Sequence, residues 1–301
     1  YLKHTADKLD LRRDIRFDTA VESATYDGTA NTWTVETADG QQVTAQFFIS
    51  AVGCLSEPYR PDFGGLESYE GDWYHTARWP GDLDLSGDHV GVIGTGSTGI
   101  QFISENAARC EQMTVFQRTP NYAVPAQNRP ISKEEYEEIR DNYDEIWADA
   151  RDSRLGMPFD HDHYSAAGLS ETEIRETLEE RWEKGGFRFL HAFEPAHILT
   201  NREVNETVSE FIREKIRAKV DDPETAETLV PTDHPYGAKR PPMDYNDYYG
   251  TYNRDNVSLV DVSEDGQHLE GVTTARIRAA APESHLDLGV RAPALHATTR
   301  A

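Results

Sequence analysis

Residues 89–121 read HVGVIGTGSTGIQFISENAARCEQMTVFQRTPN. Val90-Gly91-Val92-Ile93 is a short apolar run bounded by turn residues, which predicts a buried parallel strand. Gly94-Thr95-Gly96-Ser97-Thr98-Gly99 follows at once, a G-x-G-x-x-G at a strand-to-helix turn. Gly94 permits the tight turn, Gly96 lets a pyrophosphate approach the backbone, and Gly99 lets the helix pack close to the strand. Ile100, Ile103 and Ala107 recur at helical spacing, and Met113-Thr114-Val115-Phe116 reads as a second strand. On the motif alone, a glycine-rich turn in an unrelated α/β protein is the competing reading.

The end of the second strand sets nucleotide choice. An NAD site carries Asp or Glu there to hold the ribose 2′-hydroxyl. This chain has Gln117-Arg118-Thr119. A guanidinium and a hydroxyl suit a 2′-phosphate, which a carboxylate would repel. The reading is an NADP-selective site at Gly94, Thr95, Gly96, Ser97, Thr98, Gly99, Arg118 and Thr119.

Working outward, 301 residues make one large or two ordinary domains. No apolar run is long enough to span a bilayer and no signal-peptide pattern is present, so a soluble, cytoplasmic protein is expected. Two cysteines, Cys54 and Cys110, do not make a disulfide framework or a four-ligand zinc site, and Cys54 reads as a small core residue. The net charge of −24 argues against nucleic acid and anionic membrane as partners. With 7 Lys against 23 Arg, the acidic surface reads as adaptation to high salt, where counter-ions screen self-repulsion. An ordinary acidic mesophilic protein is the alternative.

Strands are expected at 21–26, 32–37 and 44–51, with Asp27-Gly28 and Asp39-Gly40 as turns. The last runs through Phe47-Phe48-Ile49 into Val52-Gly53 as a buried strand. Pro58, Pro61, Gly64 and Gly65 mark a linker. Ser132 with Glu135, Ser170 with Glu173, and Thr200 with Glu203 predict three capped helices, and Ile131 is placed to staple onto Tyr136. Their apolar stripes are read as core: Tyr136, Ile139, Tyr143, Ile146 and Trp147; Ile174, Leu178 and Trp182; Val204, Val208, Phe211, Ile212 and Ile216. Asp222-Pro223 is expected to stop the third helix. Asp160, His161, Asp162 and His163 read as a solvated loop, so no metal site is assigned. Residues 231–257 form a long irregular segment whose Lys239-Arg240 is an adjacent basic pair in an acidic chain, and 258–262 return to strand. His75, amid the aromatics of residues 69–80, reads on its chemistry as a structural histidine.

Together these motifs resemble the flavin-dependent Baeyer–Villiger monooxygenases, of the cyclohexanone and phenylacetone monooxygenase type, over residues 1–262. The family fingerprint F-x-G-x-x-x-H-x-x-x-W-P/D stands here as Tyr69, Gly71, His75, Trp79 and Pro80, with Tyr in place of Phe. The runs Gln117-Arg118-Thr119-Pro120-Asn121-Tyr122, Lys239-Arg240 and Asn253-Arg254-Asp255-Asn256-Val257 also look like that family. The resemblance implies NADPH and FAD on two Rossmann-like domains, with O2 and a small-molecule ketone as substrates and an ester or lactone as product. It implies Lys239 beside Arg118 and Thr119 on the 2′-phosphate. It implies Arg240 as the catalytic arginine, whose guanidinium keeps the flavin-bound peroxide anionic. The alternatives are a flavin monooxygenase oxidising nitrogen or sulfur, and an inactive NADP-binding remnant.

The family's first G-x-G-x-x-G, which seats FAD, has no counterpart here, and neither has its later apolar strand ending in A-T-G. The chain is therefore expected to be the middle of such an enzyme. The expected architecture is α/β: a partial, strand-rich FAD-binding domain at 1–57, then a Rossmann-like NADP-binding domain at 58–275 with a helical insertion at about 130–222. The text at 276–301 is expected to be an atypical, poorly packed tail, with Arg276-Ile277-Arg278 as its one candidate edge strand.

Overall fold

The computed structural model describes residues 1–53, 55, 58–59, 69, 71–153, 156–158 and 165–263; for 195–196 and 285–288 it describes the backbone alone. Cys54, the 160–163 loop and Arg276-Ile277-Arg278 lie outside the described residues. The chain divides into two units, Tyr1–Glu57 and Pro58–Ala301. Among the described residues no helix is long and apolar enough to cross a membrane.

The first unit holds α1 (Leu2–Lys8) and an antiparallel sheet of β1 (Val21–Asp27), β2 (Thr32–Thr37) and β3 (Gln42–Ala45) in the order β1-β2-β3. Asp27 turns the first hairpin by accepting the backbone N–H groups of Thr29 and Ala30 at 2.8 and 3.1 Å. Gly40 turns the second at φ +80, a conformation that costs glycine little. The strand expected at 44–51 is shorter and lies earlier: pairing ends at Trp33–Ala45. Residues 47–52 form no strand, and Phe47 and Ile49 are 78% and 86% exposed. Their apolar run, broken by Ser50, finds no neighbouring strand among the described residues of this unit, and hydrophobicity without a ladder does not make a strand.

The second unit is organised around a parallel sheet. β4 (Trp73–His75), β5 (His89–Ile93), β6 (Gln112–Gln117), β9 (Val257–Asp261) and β10 (His285–Leu288) run in the order β4-β10-β5-β6-β9. The expected pairing of 90–93 with 113–116 is present, in the register Val90–Met113 through Ile93–Phe116. α2 (Ser97–Asn106) crosses over between those strands. Alternation splits β6 between faces: Met113 and Val115 join Ile100, Ile103 and Val92 in the main core. Phe116 joins Ile93 and Val262 in a smaller cluster on which Tyr69 and Trp73 pack.

β10 corrects the reading of the tail. Residues 285–288 lie inside the sheet, parallel to β4 on one side and β5 on the other. Four residues are too few to show a periodicity, yet they supply the backbone partners that the β5 edge needs.

After β7 (Val124–Pro125) come α3 (Lys133–Asp141), α4 (Tyr143–Asp152), α5 (Glu171–Lys184), α6 (Gly186–Leu190), α7 (Pro195–Thr200), α8 (Arg202–Lys219) and α9 (Pro223–Leu229). β8 (Met243–Asp244) and α10 (Tyr248–Thr251) then lie within the segment read as irregular. Ser170 and Glu173 make the expected reciprocal capping box on α5. Ser132 caps α3, but the Glu135 carboxylate turns to Arg129 at 2.6 and 2.8 Å. One boundary differs from expectation. Asn201, not Thr200, caps α8, accepting from the N–H groups of Glu203 and Val204. α8 does end ahead of Asp222-Pro223, at Lys219, but the pair also starts a helix: Pro223 is N1 of α9 and Asp222 accepts from the Thr225 N–H, because proline loses nothing at a first-turn position.

The α8 stripe is buried as predicted, from Val204 at 5% exposed to Ile216 at 0%. The α3–α4 stripe is not core: Tyr136, Tyr143 and Trp147 are at least half exposed, as is Ile131, the expected staple partner of Tyr136. Helical spacing gives one apolar face but does not say what covers it.

Candidate functional site

The glycine turn begins with the Gly94 N–H donating to the Phe116 carbonyl at 2.9 Å, which fixes the end of β5 against β6. Gly94 takes φ +99, a left-handed conformation that a side chain would strain. Gly96 is the N-cap of α2 and brings no side-chain cap, and Ser97 and Thr98 are exposed. The first N–H groups of α2 therefore face outward beside the positive end of its dipole, with no acidic residue in the first turn. Gly99 is buried, and a Cβ on it would sit 2.3 Å from the Gly94 carbonyl oxygen. The turn and the helix are thus packed as closely as backbone allows, which fits the cradle of a dinucleotide pyrophosphate.

Thr95 ties this turn to the end of β6. Its hydroxyl lies 3.4 Å from Gln117 Oε1 and 3.4 Å from the Thr119 carbonyl. Gln117 is 2% exposed and its amide donates to the Thr228 carbonyl of α9 at 2.8 Å. The side chain at the strand end is thus committed to scaffold, and the next residues, exposed Arg118 and half-buried Thr119, stand at the carboxyl edge of the sheet.

Lys239-Arg240 arrives at the same edge through the parallel pairing of β7 with β8. Val124 N–H donates to the Pro242 carbonyl at 3.0 Å, and Asn121 Nδ2 donates to the Arg240 carbonyl at 3.1 Å. Tyr249 sets Asn121 in turn. Its buried hydroxyl donates to the Asn121 carbonyl at 3.0 Å and accepts from the Ala123 N–H at 3.1 Å; burial raises its pKa well above the usual phenol value. The loop after β6 and the basic pair thus meet at Asn121. Lys239 Nζ lies 3.7 Å from Asp233. Burial pushes Asp233 upward, but the His234 hydrogen bond and charge, with Lys239, outweigh it and hold the carboxyl below its ordinary range.

The fingerprint residues lie elsewhere on the sheet. Tyr69 packs on the Ile93, Phe116 and Val262 cluster. His75 ends β4, 7% exposed, and its Nδ1 accepts from the Ala77 N–H at 3.2 Å, capping the turn Thr76–Arg78. Its Nε2 is buried without a hydrogen-bond partner. Trp79 packs edge-on to Phe102 of α2 at 5.3 Å, with half-buried Pro80 beside it and Gly71 exposed ahead of β4. Sequence reasoning missed Asn121 as a clamp, Tyr249 and Asp233. Asn121 stood in a quoted motif, whereas nothing in the spacing marked Tyr249.

The flavin-binding monooxygenase-like family profile matches residues 1–129. Cyclohexanone 1,2-monooxygenase of Acinetobacter sp is 41% identical over 90% of this chain and 51% of its own length. The chain belongs to the flavin-dependent Baeyer–Villiger monooxygenase family. Another relative of this chain is the phenazine N-monooxygenase PhzNO1 of Lysobacter antibioticus, 42% identical over 88% of the chain and 48% of that protein. Among solved structures, an oxidised steroid monooxygenase bound to NADP superposes with a TM-score of 0.82 at 44% identity, covering 96% of the chain and 55% of the neighbour. The chain spans about half the length of the curated relatives it matches.

The described part of the first unit offers a FAD diphosphate no comparable cradle. It holds no glycine-rich turn leading from a strand into a helix, so none of its residues is assigned to FAD.

Proposed function

We propose that the protein carrying this sequence is an NADPH- and FAD-dependent Baeyer–Villiger monooxygenase. It uses O2 to insert one oxygen beside a ketone carbonyl, giving an ester or lactone. The observation that carries the reading is the meeting, at Asn121, of the Arg118-Thr119 loop with Lys239-Arg240 at the carboxyl edge of a dinucleotide-type sheet. The family membership supplies the reaction class.

The nicotinamide nucleotide supplies a hydride when bound. Toward it, the outward N–H groups at the start of α2 bind the pyrophosphate, and Gly94, Gly96 and Gly99 let it come close. Arg118, Thr119 and Lys239 bind the 2′-phosphate, which selects NADPH over NADH. Arg240 offers a guanidinium to the negative charge of the oxygen-transfer step, and Asn121 orients it by holding its carbonyl. Tyr69, Gly71, His75, Trp79 and Pro80 serve as a packed support of the sheet edge, with no proton transfer assigned to His75. The carboxylate-rich surface, at a net charge of −24, fits a salt-adapted cytoplasm.

The N-monooxygenase relative favours a second reading, oxidation of a ring nitrogen. Product analysis under 18O2, with a cyclic ketone, a thioether and an aromatic N-heterocycle in parallel, separates the two. A lactone carrying one labelled oxygen supports the proposal; labelled N-oxide or sulfoxide with unchanged ketone refutes it.

A further inference from the structure

Lys239 does not present a bare ammonium. Its Nζ lies 3.7 Å from Oδ2 of Asp233. The other carboxylate oxygen is engaged too: Oδ1 lies 2.5 Å from His234 Nδ1. A carboxylate only accepts, so His234 Nδ1 carries the proton. The His234 side chain is 9% exposed and packs edge-on to Tyr122 at 5.4 Å. Tyr122 is itself 1% exposed, and its hydroxyl donates to the His234 carbonyl at 3.0 Å and accepts from Arg213 at 3.0 Å. Asp233 is therefore a fixed anion on a buried mount, and it faces a lysine of only moderate exposure.

We propose that Asp233 is a specificity-determining residue of the nucleotide site, a stand-in for the 2′-phosphate that holds Lys239 in place and competes with NADPH for it. The inference rests on the NADP reading of Lys239. A half-exposed ion pair at 3.7 Å is weak enough to yield to a phosphate dianion. Once Lys239 turns to phosphate, Asp233 remains within a Debye length of it and repels it. NADH has no 2′-phosphate and escapes that repulsion. A carboxylate roughly 7 Å from a dianion in high dielectric lowers affinity about three- to tenfold. The pair thus keeps Lys239 ordered while limiting how tightly the phosphorylated nucleotide is held.

The test is Asp233→Asn, which keeps the side-chain shape and an acceptor for His234 and removes only the charge. Dissociation constants for NADPH and NADH are measured on the full chain at low salt for the parent, D233N, K239A and the double variant, with thermal melts alongside. D233N is expected to bind NADPH three- to tenfold more tightly, with NADH and the melting temperature unchanged. In the K239A background only the direct repulsion of the phosphate remains and the competition for Lys239 is gone, so a gain should persist but be smaller. Unchanged or weaker NADPH binding by D233N, or an equal change for both nucleotides, overturns the proposal while a selective K239A loss keeps the NADP reading standing. If K239A affects both nucleotides alike, the NADP reading of Lys239 fails, and this proposal with it.

Discussion

Gly99→Ala puts a methyl group where the structure has no room. Its Cβ would stand 2.3 Å from the Gly94 carbonyl oxygen and 3.1 Å from the Gly94 carbonyl carbon, against ordinary contact from 3.4 Å. Both groups are backbone, so the conflict is relieved only by moving α2 or the turn by about 1 Å. Overpacking of this kind costs ~1–3 kcal/mol of stability, and each kcal/mol lowers Tm by about 2–4 °C in a unit of this size. The same shift moves the first N–H groups of α2 off the pyrophosphate. Loss of one charge-assisted hydrogen bond, ~1.5–3 kcal/mol, weakens nucleotide binding about 10- to 100-fold. Because both nucleotides share the pyrophosphate, NADPH and NADH should lose alike, which sets this variant apart from changes at the 2′-phosphate. Gly81→Ala is the control, since a Cβ there meets nothing within 4 Å. Calorimetric titration of both nucleotides with a thermal melt reads the outcome. A Gly99→Ala protein with parental Tm and parental affinity would refute the close-packed turn as the nucleotide cradle.

Three further outcomes are expected. Arg118→Ala should weaken NADPH by about one to two orders of magnitude and leave NADH nearly unchanged; fluorescence titration checks it, and equal losses contradict the assignment. Tyr249→Phe removes a hydroxyl that donates to the Asn121 carbonyl and shares the buried Ala123 N–H with that same carbonyl, and should cost ~0.5–1.5 kcal/mol in urea unfolding; a cost near zero would mean that the loop after β6 is held by other contacts. Glu214 is held below 4.5, first by its bidentate hydrogen bonds from Arg175 at 2.8 and 2.9 Å, against the opposing pull of burial. A depressed folded pKa stabilises the fold above pH 4.5, and that contribution is lost as pH falls through the folded value. Arg175→Ala should therefore raise the pH midpoint of acid unfolding followed by circular dichroism, and an unmoved midpoint counts against the α5–α8 link.

Much of the sheet was legible because its signals are local. A four-residue apolar run, three glycines and a second apolar run specify strand, turn, helix and strand within thirty residues, and β5, α2 and β6 follow that order. Long-range partners were not legible. β10 enters the sheet from nearly two hundred residues away through backbone pairing alone, which leaves no mark in composition. The exposure of Tyr136, Tyr143 and Trp147 and the commitment of Gln117 to Thr228 likewise depend on which element lies opposite. Within the candidate site, Arg118-Thr119 and Lys239-Arg240 were visible as charged motifs. The clamp that joins them was not, because Asn121 and Tyr249 act through single hydrogen bonds to carbonyls 119 and 128 positions away.

Direct titration of NADPH and NADH into the protein tests whether this chain holds the proposed NADP site. The predicted result is saturable one-to-one binding of NADPH, with NADH at least about tenfold weaker. The preference should narrow as salt rises and screens the 2′-phosphate contacts. Equal affinity for both nucleotides, or no binding of either by a folded protein, would contradict it.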